Sequence, residues 1–308
     1  SASAFVESTL AQLFKSKDGN TFKGGPAYYI EKGLGKRWWG VIFAILITLT
    51  FGFAFNSVQS NTIAMALDVS FGWNPLVVGI LVTIMTLIVI FGGIHRISRF
   101  SEIVVPLMAV AYLLLAIVVI VLNLNVLPDV VSMIFREAFT GTAVLGGGVG
   151  GALMMGIKRG LFSNEAGEGS APNVAATASV SHPVKQGLLQ TLGVFTDTLL
   201  ICSCTAFIIL LSGKAYSGGN GIALTQTALE AEVGAIGSSF VAVAVFFFAY
   251  TSIIANYYYG ETNIRFITAK KWPVTVYRLL VGGMVLMGAL TSLDLVLSLI
   301  HISEPTRP

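Results

Sequence analysis

Of 308 residues, 55% are hydrophobic and 11% are charged, with a mean hydropathy of +0.83. A soluble domain carries roughly 25% charged residues, so that class is excluded and a polytopic membrane protein is expected. The net charge of +3 says little by itself, because in such a chain the placement of Lys and Arg carries the information, and no nucleic-acid partner is expected.

The opening SASAFVESTLAQLF has neither an initiating Met nor the basic start of a signal peptide, so the chain reads as an internal fragment. Its first helix, Ser1–Phe14, is partial. Apolar runs of about twenty residues cross a hydrocarbon core of about 30 Å. Such runs predict spans at Trp38–Ala66, Val77–Gly93, Ile103–Asn123, Glu137–Ile157, Gly187–Ser212, Ser238–Thr262 and Thr275–Leu293. Strict alternation over ten-residue segments is absent, which argues against a β-barrel.

Polar side chains inside a span need a partner or a watery cavity. In the first full span, FGFAFNSVQSNTIA puts Asn56 and Gln59 three residues apart on one face, with Asn61 close by. They suit either a neighbouring helix or a small zwitterionic ligand. Thr140 and Thr142 precede the run GGGVGG, which supplies Gly146, Gly147, Gly148, Gly150 and Gly151. Close helix packing explains one or two such glycines. Five in six residues favour an unwound helix, whose exposed carbonyls and amides suit a cation and a carboxylate.

The next segment is Arg159-Gly-Leu-Phe-Ser-Asn-Glu-Ala-Gly. Here Arg159 and Glu165 are close enough to pair, Ser163 and Asn164 suit capping, and a gate is the favoured role. Neither a serine-hydrolase elbow nor a phosphate loop fits, for want of GxSxG and of Lys-Ser/Thr after the glycines. Asp197, between Thr196 and Thr198, is either a hydrogen-bonded structural residue or a coupling group. Cys202 and Cys204 have neither CxxC nor metal spacing and read as small buried hydrophobes. Thr251 and Ser252 are adjacent hydroxyls in an apolar helix, open to two readings: back-bonding to the preceding turn, or ligation of a hard cation.

Fifteen Lys and Arg residues fall in loops on one side and two, Arg136 and Lys214, on the other. The basic side is expected to be cytoplasmic, with the Arg159–Gln186 and Arg265–Val274 loops on it. At the far end, LSLIHISEPTR resembles the product of one reading frame of a transposon-end sequencing adapter. Residues 1–296 therefore read as one transmembrane domain, truncated at both ends, and 297–308 as a non-native tail.

GGPAYYIEKGLG (Gly24–Gly35), NSVQSNTIA (Asn56–Ala64), RGLFSNEAGEGSAP (Arg159–Pro172), HPVKQGL (His182–Leu188), FTDT (Phe195–Thr198) and YYYGE (Tyr257–Glu261) together resemble the alanine or glycine:cation symporter family. The likeness runs in the family's order and spacing from Phe5 to Asp294. It implies an all-α, partial leucine-transporter-like (LeuT-like) fold of inverted repeats. Ser1–Phe14 would end the fold's second helix, the seven spans would be its third to ninth, and the glycine run would break the sixth. The first helix, with the family's glycine-rich and FWMW-type motifs, and the tenth would lie outside this chain, so the polypeptide as it stands is not expected to transport. Glu168 stands where the family often has an apolar residue.

The function implied is symport of a small neutral amino acid, alanine or glycine, with sodium across the plasma membrane. Gln59, Asn56, Thr142 and the backbone at Gly146, Gly147, Gly148 and Gly150 would hold the substrate. Thr251 and Ser252 would hold sodium, while Arg159, Ser163, Asn164, Glu165 and Asp197 would form a gate or coupling set. No enzyme activity and no cofactor beyond the co-transported ion are implied. A proton-coupled carrier titrating at Asp197 or Glu165 and a passive channel or facilitator are the alternatives.

Overall fold

The computed structural model describes residues 2–19, 21–92, 94–139, 160, 163–214 and 221–291. Helix dominates. Among the described residues the sheet is one antiparallel ribbon, Ser16–Asp18 with Thr21–Lys23, which sets Lys17 opposite Phe22. The expected partial helix is Ala2–Leu13.

Among the described residues, five helices are long and apolar enough to cross a bilayer: Arg37–Phe71, Ser101–Leu122, Pro183–Leu211, Ala235–Ile267 and Trp272–Leu290. The chain is an all-α polytopic membrane protein. The expected span Val77–Gly93 is a shorter apolar helix, Pro75–Ile90. Pro75 opens it and the Asn74 side chain caps it, accepting from the Leu76 amide at 2.8 Å. Its 16 residues reach only about 24 Å, against a core of about 30 Å. The expected span Glu137–Ile157 overlaps the end of an amphipathic helix, Leu127–Phe139; its remainder lies outside the described residues.

The Ala235–Ile267 helix is the axis of the bundle. Its Tyr250, Ile253, Ile254 and Tyr257 pack with Ile63 and Leu67 of Arg37–Phe71, Val78 and Val82 of Pro75–Ile90, and Tyr277, Val281 and Val285 of Trp272–Leu290. Half of the apolar window of Arg37–Phe71 and of Ala235–Ile267 is buried, but only 17% of that of Ser101–Leu122 and Pro183–Leu211. The latter two therefore turn most of their Leu, Ile and Val side chains outwards, where lipid is as good a solvent as the protein interior.

Small residues set the closest helix approach. A Cβ built on Gly288 would lie 2.4 Å from the Ser57 carbonyl oxygen and 2.5 Å from its Cα. The Ser60 hydroxyl donates to the Val285 carbonyl at 2.6 Å, and the Asn61 amide donates to those of Gly288 at 3.2 Å and Thr291 at 2.7 Å. These polar groups of the first long helix thus join two helices.

Two of the five long helices contain π-helical segments, Thr50–Phe55 and Thr196–Cys202. Such insertions occur disproportionately at functional sites because they re-aim side chains and loosen the backbone ladder. Here the first leads directly into Asn56 and Gln59, and the second contains Asp197.

Candidate functional site

Asn56 is fully buried at the end of the first π segment. Its amide nitrogen donates to the Gly52 carbonyl at 3.1 Å, whereas its Oδ1 has no hydrogen-bond partner among the described residues. A buried acceptor without a partner costs on the order of 1–3 kcal/mol. Gln59, one turn on, is half-buried, and its side chain makes no hydrogen bond among the described residues. The pair therefore offers unspent amide capacity; Asn61 keeps an unpartnered Oδ1 as well, but its nitrogen, like the Ser60 hydroxyl, is committed to joining helices.

Thr251 and Ser252 both donate to the Phe248 carbonyl, at 2.9 and 3.0 Å. Each hydroxyl thereby spends its proton on the helix and retains oxygen lone pairs for a cation. Thr251 is buried and Ser252 half-buried. One turn further, the buried Asn256 amide nitrogen has no partner among the described residues.

The segment from Ser163 to Ala178 joins several elements by polar contacts. Ser163 donates to Asp197 Oδ2 at 2.6 Å and lies 3.0 Å from Cys202 Sγ, which ties it to the second π segment. Asn164 donates to the Thr198 hydroxyl at 3.1 Å and accepts from the Ala166 amide at 3.0 Å. Towards the first helix, the Gly167 amide donates to Glu7, and Gln12 donates to the carbonyls of Ala175 and Ala178. Lys15 adds a bond to Ala178 O at 2.8 Å.

The third attachment is to the Ala235–Ile267 helix. Glu165 has φ +51°, an unusual backbone state for a non-glycine residue. That twist turns its carboxylate inwards, where it accepts from the Ser170 hydroxyl at 2.5 Å and from the Tyr259 hydroxyl. Burial holds the Glu165 carboxyl above the ordinary carboxylate range, and the negative charge of Asp197 adds to that. The donors Ser170 and Tyr259 act in the opposite direction. Close by, the buried Asn173 side chain donates to the carbonyls of Gly169 and Ser170 and accepts from Asn263 at 3.0 Å.

Thus the expected gate residues Ser163, Asn164, Glu165 and Asp197 come together, with Ser163 on Asp197 directly. Arg159 lies outside the described residues, as do Thr142, Gly146, Gly147, Gly148 and Gly150. Cys204 is buried as expected. Cys202 is only half-buried, because the π segment turns it towards Ser163. Tyr259, Ser170, Asn173, Asn263 and Glu7 are partners that sequence reasoning missed. The YYYGE and SAPN motifs carried the signal, but only as composition.

Residues 1–304 match the sodium:alanine symporter family. The chain is 54% identical over 295 residues to "Amino-acid carrier protein AlsT" of Bacillus subtilis (strain 168), covering 96% of this chain and 63% of that protein. It is 52% identical over 297 residues to "Probable sodium/glutamine symporter GlnT" of the same organism, covering 96% and 62%. It is 38% identical over 292 residues to "Sodium/proton-dependent alanine carrier protein" of Bacillus sp. (strain PS3), covering 90% and 65%. The chain thus spans slightly more than three-fifths of the length of these relatives. The family and these relatives are carriers, not enzymes.

Proposed function

The chain belongs to the sodium:alanine symporter family, and from that premise we propose that the full-length protein is a secondary active symporter, importing a small neutral amino acid, alanine or glycine, with sodium. The family match over residues 1–304 carries this proposal. The unspent polar capacity of Asn56 and Gln59 beside a π segment supports a ligand at that level of the membrane.

In this proposal Gln59 and Asn56 face the amino acid together with Thr142 and the backbone at Gly146, Gly147, Gly148 and Gly150. Sodium takes the oxygens of Thr251 and Ser252, whose protons are already committed to Phe248. The Ser163–Ser170 loop, with Arg159 before it, forms a gate on the cytoplasmic side, and the fold is the leucine-transporter-like one, with seven helices supplied by this chain. Coupling means that sodium and amino acid favour the same conformational state, each raising the affinity for the other. The Arg159–Gln186 and Arg265–Val274 loops are cytoplasmic by the charge asymmetry, in the plasma membrane.

Binding of labelled alanine to the full-length protein against sodium concentration tests the site. Thr251→Ala is expected to raise the sodium required, and Gln59→Ala to weaken alanine binding at saturating sodium. An unaltered sodium dependence in Thr251→Ala removes the ion-site assignment. A second reading, proton coupling through Glu165, is supported by its raised carboxyl and predicts uptake that follows a pH gradient without sodium.

A further inference from the structure

The turn joining the Ala235–Ile267 and Trp272–Leu290 helices frames an open cleft of about 360 Å3. Five cationic side chains line it, Lys23, Arg265, Lys270, Lys271 and Arg278, with Asp18 as the one acidic lining residue among those described. Behind it, buried Glu261 accepts from Arg265 at 2.7 Å and from Arg278 at 3.4 Å, and Lys23 lies 3.7 Å from Asp18. Two carboxylates thus face five cations, and no ion pair engages Lys270 or Lys271 among the described residues. We propose that this cleft holds the phosphate of an anionic phospholipid headgroup.

Position selects a lipid over a free anion. The cleft opens where two membrane-spanning helices end, so it lies at a bilayer face. Trp272, which follows the lining residue Lys271 in sequence, is exposed, and an indole is favoured at the headgroup level. The same helix exposes Val276, Leu279 and Leu280 on the face that carries Trp272, an apolar surface suited to lipid. Basic pockets between helices at such a face recognise anionic headgroups by charge, and lysine stems reach along the apolar surface to place the ammonium there. Thr268 and Thr275 add hydroxyls to the lining.

Native mass spectrometry of the detergent-purified protein, titrated with phosphatidylglycerol, phosphatidylcholine or inorganic phosphate, tests the proposal. Phosphatidylglycerol is expected to bind in preference to phosphatidylcholine, and to weaken about thirtyfold in the Lys270→Ala/Lys271→Ala double variant. Lys214→Ala, away from the cleft, is expected to leave binding unchanged. Equal retention of the two lipids by the wild-type protein overturns the proposal whatever the variants do. So does an equal loss in Lys214→Ala. Inorganic phosphate that binds lipid-free protein and displaces phosphatidylglycerol at millimolar concentration makes this a free-anion site instead.

Discussion

Replacing Gly288 by Ala places a methyl group against backbone, with no flexible side chain to move aside. The new Cβ would lie 2.4 Å from Ser57 O and 2.5 Å from Ser57 Cα. Ordinary contact is about 3.5 Å, so the helices must part by about 1 Å. Overpacking of this kind costs about 1–3 kcal/mol. Parting also stretches the bonds from Ser60 to Val285 and from Asn61 to Gly288, each worth about 0.6 kcal/mol between membrane helices. The expected destabilisation is about 2–4 kcal/mol, read as a shifted unfolding midpoint in mixed micelles titrated with dodecyl sulfate. Gly283→Ala, on the same helix, is the control, since beyond its own helix turn no atom of the described residues lies within 4 Å of its added Cβ. It is expected to be neutral or slightly stabilising, because Ala is the better helix former. Equal midpoints for the two variants would refute the argument that close approach at Gly288 joins these helices.

Tyr277→Phe is expected to be neutral or to stabilise by about 1 kcal/mol, because the buried Tyr277 hydroxyl has no hydrogen-bond partner among the described residues; a clear loss in the same unfolding assay would mean that the hydroxyl is held by a partner. Glu165→Gln should flatten the pH profile of stability. With its carboxyl raised above 4.5 in the folded protein, Glu165 binds more protons folded than unfolded, so it lowers stability as pH rises from about 4.5 through the folded value. Asp197, Glu168 and Tyr259 face the same region and remain in the variant; the phenol does not titrate in this range, so an unchanged pH slope would assign the effect to the other carboxyl groups.

The long apolar helices were legible because lipid and the protein interior both demand apolar residues, and a run of them needs no partner to be recognised. Asn56 and Gln59 were legible as anomalies within such a run. The role of Asn61 was not, since its acceptors lie on a helix more than two hundred residues away. The π segments were hidden for a related reason: one extra residue in a turn leaves the apolar pattern intact and changes only where Asp197 and Cys202 point. Val77–Gly93 read as a full span from composition, but the Asn74 cap, Pro75 and the end at Ile90 shorten it. For Glu165, local spacing suggested Arg159 as a partner, while the partners in the described structure are a hydroxyl five residues on and Tyr259 from the central helix.

Accumulation of labelled alanine in proteoliposomes of the full-length protein, under an imposed inward sodium gradient with no pH gradient, tests sodium symport most directly. A tenfold gradient stores about 1.4 kcal/mol per ion, enough for about tenfold accumulation if one ion is coupled. Alanine is expected to rise above its outside concentration with sodium and only to equilibrate when potassium replaces it. Accumulation that is indifferent to sodium, or that for alanine and glycine alike never exceeds the outside concentration, would contradict sodium-coupled symport of these amino acids.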